Sequence, residues 1–363
     1  MKTISFDLLK KNIEKRAKEN IEAYDLTDAV IGVYQNGNEY TGIFGDADRD
    51  SLFRLASMTK PVTAVAAGIA VSKGIFSPED EISKYLKGFK DMPIHDSDKR
   101  GNPTIAQILS HSSGICSSEK STAEIRFGES GKHTSLADVE AFYSNEPLDF
   151  LPGKAQFYSA TVALDLICRI IEKAEDMPYE DWAKKHIFEP CRMKDTTYVP
   201  TEEQWKRTVN VSGKKDGKPF VHEEYRRCLF PGGPDRHYCG TAGLASTYDD
   251  YMNFAKMLLA GGSFDGRQIV PRSWVKEMSK KQLPPEVMPD PVVWGYGVRV
   301  ITGDDYKNLP TGCYGWSGAF GSHFWVDPVN GITAVYMKNC TNDGGAGALT
   351  AWNFETDVYA SIK

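Results

Sequence analysis

The sequence predicts an α/β protein in which both ends of the chain build one antiparallel sheet and the middle of the chain inserts a mainly helical lobe. Strand-like runs lie near both termini, at 29–44 and 296–338. The segment 75–225 instead carries helical patterns separated by proline and glycine. Helical patterns at the two ends, 6–23 and 346–361, supply helices that flank the sheet.

The 363 residues are expected to form a single domain with two lobes. The sheet lobe comprises about 1–60 and 240–363, and the helical lobe comprises about 61–239. A cleft between two lobes is a usual place for a binding site.

The N-terminal part alternates clear helix and strand signals. The first helix shows apolar residues at helical spacing, namely Leu9, Ile13, Ala17 and Ile21. Strand-like runs at 29–34 and 40–44 then flank Asn36-Gly37, a pair that favours a two-residue hairpin turn. The next helix begins near Ser57 and ends at Gly74, which is a typical C-terminal cap.

The rest of the chain carries further helices and the remaining strands. Helical patterns occur at 104–109, 161–175, 179–187, 247–260 and 271–280. The polar segment 201–227 is predicted to be a long irregular connection. Strand-like runs follow at 296–301, 321–326 and 332–338.

Composition narrows the possible partners. The net charge is −6 with mixed signs and no basic stripe, so nucleic acid is not an expected partner. The seven cysteines form no C-x-x-C pair and are odd in number, which is typical of free thiols in a reducing compartment. The N-terminus has no apolar signal region, and the longest near-apolar stretch, 61–71, is too short to cross a bilayer. We expect a cytoplasmic protein that does not enter a membrane; nothing in the sequence indicates an oligomeric state.

The segment Ser57-Met58-Thr59-Lys60 is a candidate catalytic motif. Residues i and i+3 lie on one face of a helix, so the Lys60 amine is expected beside the Ser57 hydroxyl. The following run of alanine, valine and isoleucine would bury the helix and strip water from the ammonium group, which favours an amine able to take the serine's proton. The alternative is that Ser57 is an ordinary helix cap.

The spacing S-x-x-K alone is weak, because it also occurs at Ser117/Lys120, Ser212/Lys215 and Ser273/Lys276. The first two of these lie in polar, loop-like sequence, and the third precedes a half-charged surface helix. Only Ser57 stands at the start of a helix that the sequence predicts to be buried.

Several segments together resemble the serine β-lactamase and penicillin-binding-protein superfamily. They run in the expected order as Ser57-Met58-Thr59-Lys60-Pro61, 108–115 (Ile-Leu-Ser-His-Ser-Ser-Gly-Ile), Leu151-Pro152-Gly153 with Phe157-Tyr158-Ser159, 187–190 (Ile-Phe-Glu-Pro), and 316–321 (Trp-Ser-Gly-Ala-Phe-Gly). The likeness is greatest to the class C-like branch, which includes family VIII carboxylesterases and related acyltransferases. This resemblance implies a β-lactamase-like α/β fold.

The resemblance also implies roles for individual residues. Ser57 matches the acylated nucleophile of the family and Lys60 its proton-accepting partner. Tyr158 matches the tyrosine of the second motif, whose phenol relays the proton. The alternative for Tyr158 is a buried packing residue. The N–H groups of Ser57 and Ala319 match the oxyanion hole.

The third motif of the family lies on a strand that lines the cleft. By this likeness the expected substrate-binding residues are Trp316, Ser317, Gly318, Phe320 and His323. Gly318 would let the backbone come close to the substrate carbonyl; alternatively it is a bulge or packing glycine.

Two departures from the family pattern bear on the substrate. β-Lactamases and D,D-peptidases begin the third motif with a lysine that holds the substrate carboxylate, whereas this chain has Trp316. Their second motif usually reads Tyr-x-Asn, whereas this chain has Ala160 in the place of the asparagine. Both changes remove polar anchors, so a neutral acyl ester is the expected substrate and β-lactam turnover is expected to be poor or absent.

Neither a catalytic histidine nor a metal is expected. The chain has no G-x-S-x-G nucleophile elbow, and His111 belongs to a family landmark in which it would fix a turn. No H-E-x-x-H or paired-histidine spacing occurs, so neither a metal nor another cofactor is implied.

The expected activity is hydrolysis of a small-molecule ester or amide substrate through an acyl group on Ser57. An acyltransferase would use the same residues. A D-amino-acid peptidase or β-lactam-binding protein would need a charged pocket, for which Arg54, Arg299 or Lys338 are candidates. A non-hydrolytic, penicillin-binding-like sensor is the alternative from another class.

Overall fold

A seven-stranded antiparallel sheet forms the centre of the computed structural model, which describes residues 2–23, 25–115, 135–160, 162–225 and 239–363. Its strands are β1 (Ala29–Gln35), β2 (Asn38–Phe44), β3 (Val292–Trp294), β4 (Arg299–Ile301), β5 (Tyr314–Ser317), β6 (His323–Asp327) and β7 (Ile332–Lys338). The order across the sheet is β3-β4-β5-β6-β7-β1-β2. The N-terminal hairpin therefore extends a C-terminal meander, and the prediction of one sheet from both chain ends is confirmed.

The N-terminal hairpin follows from its turn. Asn36 and Gly37 have φ angles of 51° and 87°, the left-handed conformations that a two-residue hairpin turn requires. This turn sets the register in which Gln35 faces Asn38 and Ala29 faces Phe44. On its other side β1 pairs with β7, from Ala29 opposite Lys338 to Gln35 opposite Ile332.

Helices cover both faces of the sheet. On the back face, α1 (Phe6–Glu22) and α10 (Leu349–Tyr359) pack on one apolar cluster that includes Leu9, Phe354 and Trp325. On the front face lies the larger core, to which α2 (Thr59–Ser72) and α8 (Tyr248–Leu259) contribute. Every residue of α2 from Thr59 to Ala70 is buried, so this helix passes through the interior.

The middle of the chain supplies mainly short helices. These are α3 (Ile105–Leu109), α4 (Leu136–Tyr143), α5 (Asp165–Glu175), α6 (Tyr179–Ala183) and α7 (Glu202–Lys206). A further short helix, α9 (Arg272–Met278), follows α8. A π-helical turn, Lys184–Phe188, continues α6. Short strand pairs lie at Met92–Ile94 with Ser97–Gly101, Phe53–Arg54 with Ala245–Ser246, and Ser263–Phe264 with Arg267–Gln268. Among the helices of the described ranges, none combines the length and the apolar character needed to cross a bilayer.

One predicted loop is partly ordered secondary structure. Of the polar segment 201–227, the described part contains α7 and a hairpin of Ser212–Lys215 with Lys218–Val221, while 226–227 lie outside the described residues. Asp216 and Gly217 have φ angles of 52° and 74°, so this turn is built like Asn36-Gly37. The strands beside it are polar, and they lack the apolar alternation by which strands are predicted.

The structure also shifts several predicted boundaries. Of the expected strand 296–301, only Arg299–Ile301 is strand (β4); the first half is a turn at Gly297, whose φ is 64°, which joins β4 to β3. The helix expected from 161 begins at Asp165.

Candidate active site

Ser57 lies in a tight turn at the beginning of α2. Leu55 N–H donates to the Leu244 carbonyl at 2.9 Å, which holds the chain where it enters the turn. Ala56 has a φ of 44°, a left-handed conformation that costs a non-glycine residue roughly 1 kcal/mol or more. A 3₁₀ turn, Ala56–Met58, then leads directly into α2. Ser57 thus lies between a strained turn and a buried helix. The residue is partly accessible to solvent.

Lys60 is fully buried one helical turn after Ser57. Its Nζ donates to Ser57 Oγ at 3.1 Å, to the Ala160 carbonyl at 2.9 Å and to the Thr241 carbonyl at 3.1 Å. These partners are uncharged, so the cost of removing the ammonium from water is not offset by an opposite charge. The structure thus places the amine beside the Ser57 hydroxyl, as the sequence predicted.

Tyr158 completes the contacts of the serine. Its hydroxyl donates to Ser57 Oγ at 2.7 Å and accepts from Trp316 Nε1–H at 3.1 Å. The Tyr158 ring stacks on Trp294 with centroids 5.5 Å apart, and Lys60 Nζ lies 4.5 Å from its centroid. The structure therefore brings together four predicted site residues from three distant segments: Ser57, Lys60, Tyr158 and Trp316.

The end of β5 approaches the Ser57 turn closely. A Cβ atom on Gly318 would lie 2.3 Å from the Leu55 carbonyl oxygen and 2.2 Å from Ser322 Oγ, so this approach needs glycine. Ser322 Oγ–H donates to the same Leu55 carbonyl at 3.1 Å. Ala319, the expected oxyanion-hole residue, follows directly, and its N–H has no backbone acceptor within the described residues.

Neighbouring residues of β5 point to opposite faces of the sheet. Trp316 faces the front, where it contacts Tyr158, and the ring centroids are 5.4 Å apart. Ser317 faces the back, where its Oγ lies 2.8 Å from His323 Nδ1. Side chains alternate along a strand, so Ser317 cannot share the environment of Trp316.

His323 does not lie where the sequence prediction expected it. Its side chain is buried on the back face, and its Nε2 lies 3.0 Å from Glu355 Oε1. Both ring nitrogens are therefore occupied within the sheet and α10. The structure does not support substrate contact by the side chains of His323 or Ser317, because the expected cleft position conflicts with strand alternation.

A buried charge network surrounds His323. Arg299 Nη2 donates to Glu355 Oε1 at 2.6 Å, and Tyr306 OH donates to Glu355 Oε2 at 2.7 Å. Burial alone would raise the pKa of Glu355, but the hydrogen bond from His323 and the Arg299 charge outweigh it and lower that pKa to about 2. Burial lowers the pKa of His323, so its ring is neutral. The ring then donates a hydrogen bond from Nε2–H to Glu355 and accepts one at Nδ1 from the Ser317 hydroxyl.

Phe320 packs beneath the nucleophile turn. It is buried in a small apolar cluster with Ala56 and Val211, and its ring lies 5.1 Å from the ring of Tyr225. Its contact with Ala56 supports the turn that presents Ser57. Substrate contact by Phe320 stays a prediction.

His111 lies behind Tyr158. Its ring is buried, 4.8 Å from the Tyr158 ring and 4.4 Å from the Trp294 ring. Ser159 N–H donates to His111 Nδ1 at 3.3 Å. Burial and the nearby Lys60 charge hold the pKa of His111 well below its usual range, so the ring stays neutral. The neutral His111 ring accepts a hydrogen bond from the Ser159 N–H and so holds the loop that carries Tyr158. This agrees with the structural role expected for His111.

Sequence reasoning did not identify Trp294 or Thr241. The Trp294 ring stacks on Tyr158, and its centroid lies 4.5 Å from that of the Trp316 ring. The backbone carbonyl of Thr241 is one of the three acceptors of Lys60 Nζ. The Trp-Gly-Tyr-Gly run at 294–297 was a signal for a buried aromatic beside tight turns. The Thr241 contact is made by a backbone carbonyl, which leaves no side-chain signal.

The two other Ser-x-x-Lys pairs that the structure describes do not form comparable sites. Ser212 and Lys215 lie on a strand, and Ser273 and Lys276 lie in α9, while Ser117 and Lys120 lie outside the described residues. Within the described part of the chain, no group of three or more histidine, cysteine, aspartate or glutamate side chains is arranged to hold a metal ion.

Comparisons with known proteins agree with this arrangement. The family model described as Beta-lactamase matches residues 10–354. Protein Rv1367c of Mycobacterium tuberculosis is 27% identical over 334 residues, which cover 84% of this chain and 81% of the relative. Esterase EstB of Burkholderia gladioli is 24% identical over 324 residues, which cover 83% of this chain and 80% of EstB.

A solved structure extends the comparison to the fold. EstCE1, described as a hydrolase with promiscuous acyltransferase activity, superposes with a TM-score of 0.84 at 19% identity. The superposition covers 97% of this chain and 99% of EstCE1. The mixed α/β fold with its large antiparallel sheet is therefore shared over nearly the whole chain.

Proposed function

Because the chain belongs to the Beta-lactamase family, we propose that it is a serine carboxylesterase that cleaves short-chain or other neutral acyl esters through an acyl group carried on Ser57. The observation that carries this proposal is the pair of contacts at Ser57 Oγ, to Lys60 Nζ at 3.1 Å and to Tyr158 OH at 2.7 Å. The relationship to EstB, a protein named as an esterase, supports the same reaction class.

Acylation begins with transfer of the Ser57 proton. The Ala160 and Thr241 carbonyls accept two hydrogen bonds from Lys60 Nζ, which directs the third position of the nitrogen toward Ser57 Oγ. In its unprotonated form the amine takes the hydroxyl proton there while Oγ bonds to the ester carbonyl carbon. The carbonyl oxygen becomes an oxyanion, which the N–H groups of Ser57 and Ala319 stabilise.

Release of the alcohol requires the proton to return. The Tyr158 hydroxyl lies 2.7 Å from Ser57 Oγ, the atom from which the alcohol would depart, and Lys60 Nζ lies 4.5 Å from the centroid of the Tyr158 ring. When the carbon–oxygen bond of the alcohol breaks, the proton passes from Lys60 through Tyr158 to that oxygen. Water then repeats the sequence, and the Ser57 ester is hydrolysed.

The three cations considered for a peptidase pocket do not offer a free charge to a substrate. Arg54 is buried and donates to the Val209 carbonyl, Arg299 pairs with Glu355, and Lys338 pairs with Asp343. These three cations, which a D-amino-acid peptidase pocket would need, are each engaged inside the protein. Trp316 presents an indole where related enzymes have a lysine, and its N–H is directed to Tyr158.

The same residues would serve an acyltransferase, since the acyl group on Ser57 can pass to water or to another alcohol. Competition between those acceptors is therefore measured in the same experiment. A non-hydrolytic sensor is disfavoured because the contacts among Ser57, Lys60 and Tyr158 are complete.

The test compares substrates on wild type and Ser57→Ala. Wild type is expected to hydrolyse p-nitrophenyl acetate and butyrate and to leave nitrocefin and a D-alanyl-D-alanine peptide essentially unchanged. Ser57→Ala should lose several orders of magnitude in kcat and keep its melting temperature, because the hydroxyl supplies the bond-forming atom. A fluorophosphonate should add its mass to the peptide that contains Ser57. Ester turnover retained by the alanine variant, or peptide cleavage faster than ester cleavage in wild type, contradicts the proposal.

A further inference from the structure

Asp165 is a buried carboxylate next to the candidate site that the proposed mechanism does not use. Its side chain is fully buried at the first residue of α5. Asp165 Oδ1 accepts from Thr241 N–H at 2.9 Å and from Thr241 Oγ1–H at 2.7 Å. The carbonyl of that same Thr241 accepts from Lys60 Nζ at 3.1 Å. A single threonine thus connects the carboxylate to the candidate base.

The residue before Thr241 is held as well. The Gly240 carbonyl accepts from Thr63 Oγ1–H at 2.5 Å, and Thr63 lies one turn after Lys60 on α2. A Cβ atom on Gly240 would lie 2.1 Å from Cys168 Sγ, so only glycine allows the segment to pack this closely on α5. The segment that carries the Thr241 carbonyl is therefore clamped between α2 and α5.

We propose that Asp165 is a positioning residue for the reaction, which acts through Thr241 to hold the Lys60 amine in line with Ser57. The inference rests on the proposed function, because it assigns to Lys60 the role of base.

The chemistry of an amine explains why such a residue is needed. An unprotonated lysine amine has two N–H donors and one lone pair, and its end can rotate about the terminal carbon–nitrogen bond. Two fixed acceptors, the Ala160 and Thr241 carbonyls, bind the two donors and leave the lone pair directed at Ser57 Oγ. If the Thr241 carbonyl moves, the lone pair no longer has a set direction, and proton transfer slows while substrate binding is unaffected.

The test uses Asp165→Ala, Asp165→Asn and a matched control at Asp250. Asp250 is also a buried carboxylate near the start of a helix, and its Oδ2 accepts from the N–H and Oγ1–H of one threonine, Thr196, at 2.8 and 3.0 Å. Asp250→Ala therefore removes the same kind of clamp at a threonine that is not among the three acceptors of Lys60. Readouts are kcat and KM for p-nitrophenyl butyrate, the melting temperature, and the rate at which a fluorophosphonate labels Ser57.

Asp165→Ala is expected to lower kcat and the labelling rate by about 10- to 100-fold with little change in KM, since misplacement of a reacting group by about 1 Å costs rates of this size. Asp165→Asn keeps an oxygen at the Oδ1 position and should recover most of the activity. Asp250→Ala should lower the melting temperature without changing kcat in its folded form. Equal kcat values for folded Asp165→Ala and Asp250→Ala overturn the proposal.

Two further variants keep the test decisive if Asp165→Ala does not fold. Thr241→Val removes only the Oγ1 donor and should lower kcat in the same direction by a smaller factor; an unchanged kcat contradicts the proposal. In a Lys60→Met background, adding Thr241→Val should leave the residual labelling rate unchanged, because the group that Asp165 positions through Thr241 is already gone. A further loss in that background shows that Asp165 and Thr241 act independently of Lys60 and overturns the proposal.

The outcomes separate this inference from the proposed function. A wild type that hydrolyses no ester overturns the esterase proposal. The labelling rate of Ser57 still reports whether Asp165 acts through Lys60, because it needs no natural substrate.

Discussion

Two polar networks lie on opposite sides of strand β5. The adjacent residues Trp316 and Ser317 each belong to one of them. Trp316 belongs to the front network, with Tyr158, Ser57 and Lys60. Ser317 belongs to the back network, in which His323 connects it to Glu355.

The networks differ in how their charges are balanced. In the back network Arg299 and Glu355 are both buried, and Arg299 Nη2 lies 2.6 Å from Glu355 Oε1. Each of these charges therefore has an opposite partner. In the front network the partners of Lys60 are a hydroxyl and two carbonyls. The comparison teaches that one fold pairs its buried charges in the back network, and leaves a buried amine without an opposite charge at the position where the proposed reaction moves a proton.

Removal of the buried amine from the front network should abolish activity and preserve the fold. Lys60→Met is expected to lower kcat/KM by at least about a thousandfold, because the proton acceptor is lost. Its free energy of unfolding should change little, since no opposite charge is left unpaired. Ester hydrolysis and urea unfolding measure the two effects.

A second buried lysine provides the control. Lys338 is fully buried but pairs with Asp343 at 2.7 Å, so Lys338→Met leaves a buried carboxylate unpaired. This variant should be the less stable of the two by about 3 kcal/mol or more. If Lys60→Met is the more destabilised variant, the distinction between the networks is wrong.

The opposite pattern is expected in the back network. Glu355→Gln should lower the free energy of unfolding by about 3–5 kcal/mol, because Arg299 is left buried without its carboxylate. The folded variant should keep far more of its kcat/KM than Lys60→Met does. A Glu355→Gln protein that is stable but inactive would place the back network in the reaction itself.

The contribution of Glu355 to the free energy of unfolding should also depend on pH. The pKa of Glu355 lies near 2 in the folded protein and near 4.5 when it is unperturbed. A carboxyl group whose folded pKa is lowered stabilises the protein above its unfolded pKa, and this contribution is lost as the pH falls from about 4.5 to about 2. Unfolding of wild type followed across that range should show the loss, and Glu355→Gln should lack that component.

The smallest effect is expected at the residue beside Ser317. Trp316→Phe keeps an aromatic surface but removes the N–H that donates to Tyr158. One neutral hydrogen bond contributes about 0.5–1.5 kcal/mol, so kcat/KM should fall by about tenfold or less. The matched substitution Ser317→Ala removes the hydroxyl on the other face and should affect unfolding more than turnover. Equal loss of turnover in both variants would mean that the two faces are not separate.

The sequence was sufficient where local rules decide the structure. Asn36-Gly37 specifies its hairpin, and the spacing of Ser57 and Lys60 places both on one side of α2. The order of the motifs was sufficient to bring Tyr158 to Ser57.

The sequence was insufficient where a contact depends on which side of the sheet a residue faces. Alternation along β5 separates Trp316 from Ser317, but only the assembled sheet decides which of them meets Tyr158. His323 and Glu355 are 32 residues apart and meet through the packing of α10 on the sheet. Asp165 begins α5, a helix that carries several other charged residues, so nothing in the local sequence shows that its partner is Thr241, 76 residues away.

The contact between Gly318 and the Leu55 carbonyl has a kinetic consequence. Together with the hydrogen bond from Ser322 to the same carbonyl, this close approach fixes the end of β5 against the turn before Ser57. The two N–H groups of the proposed oxyanion hole are then preorganised, and no reorganisation energy is spent to assemble them when an ester binds. Acylation should consequently be insensitive to solvent viscosity, in contrast to enzymes whose catalytic groups assemble only when a loop closes.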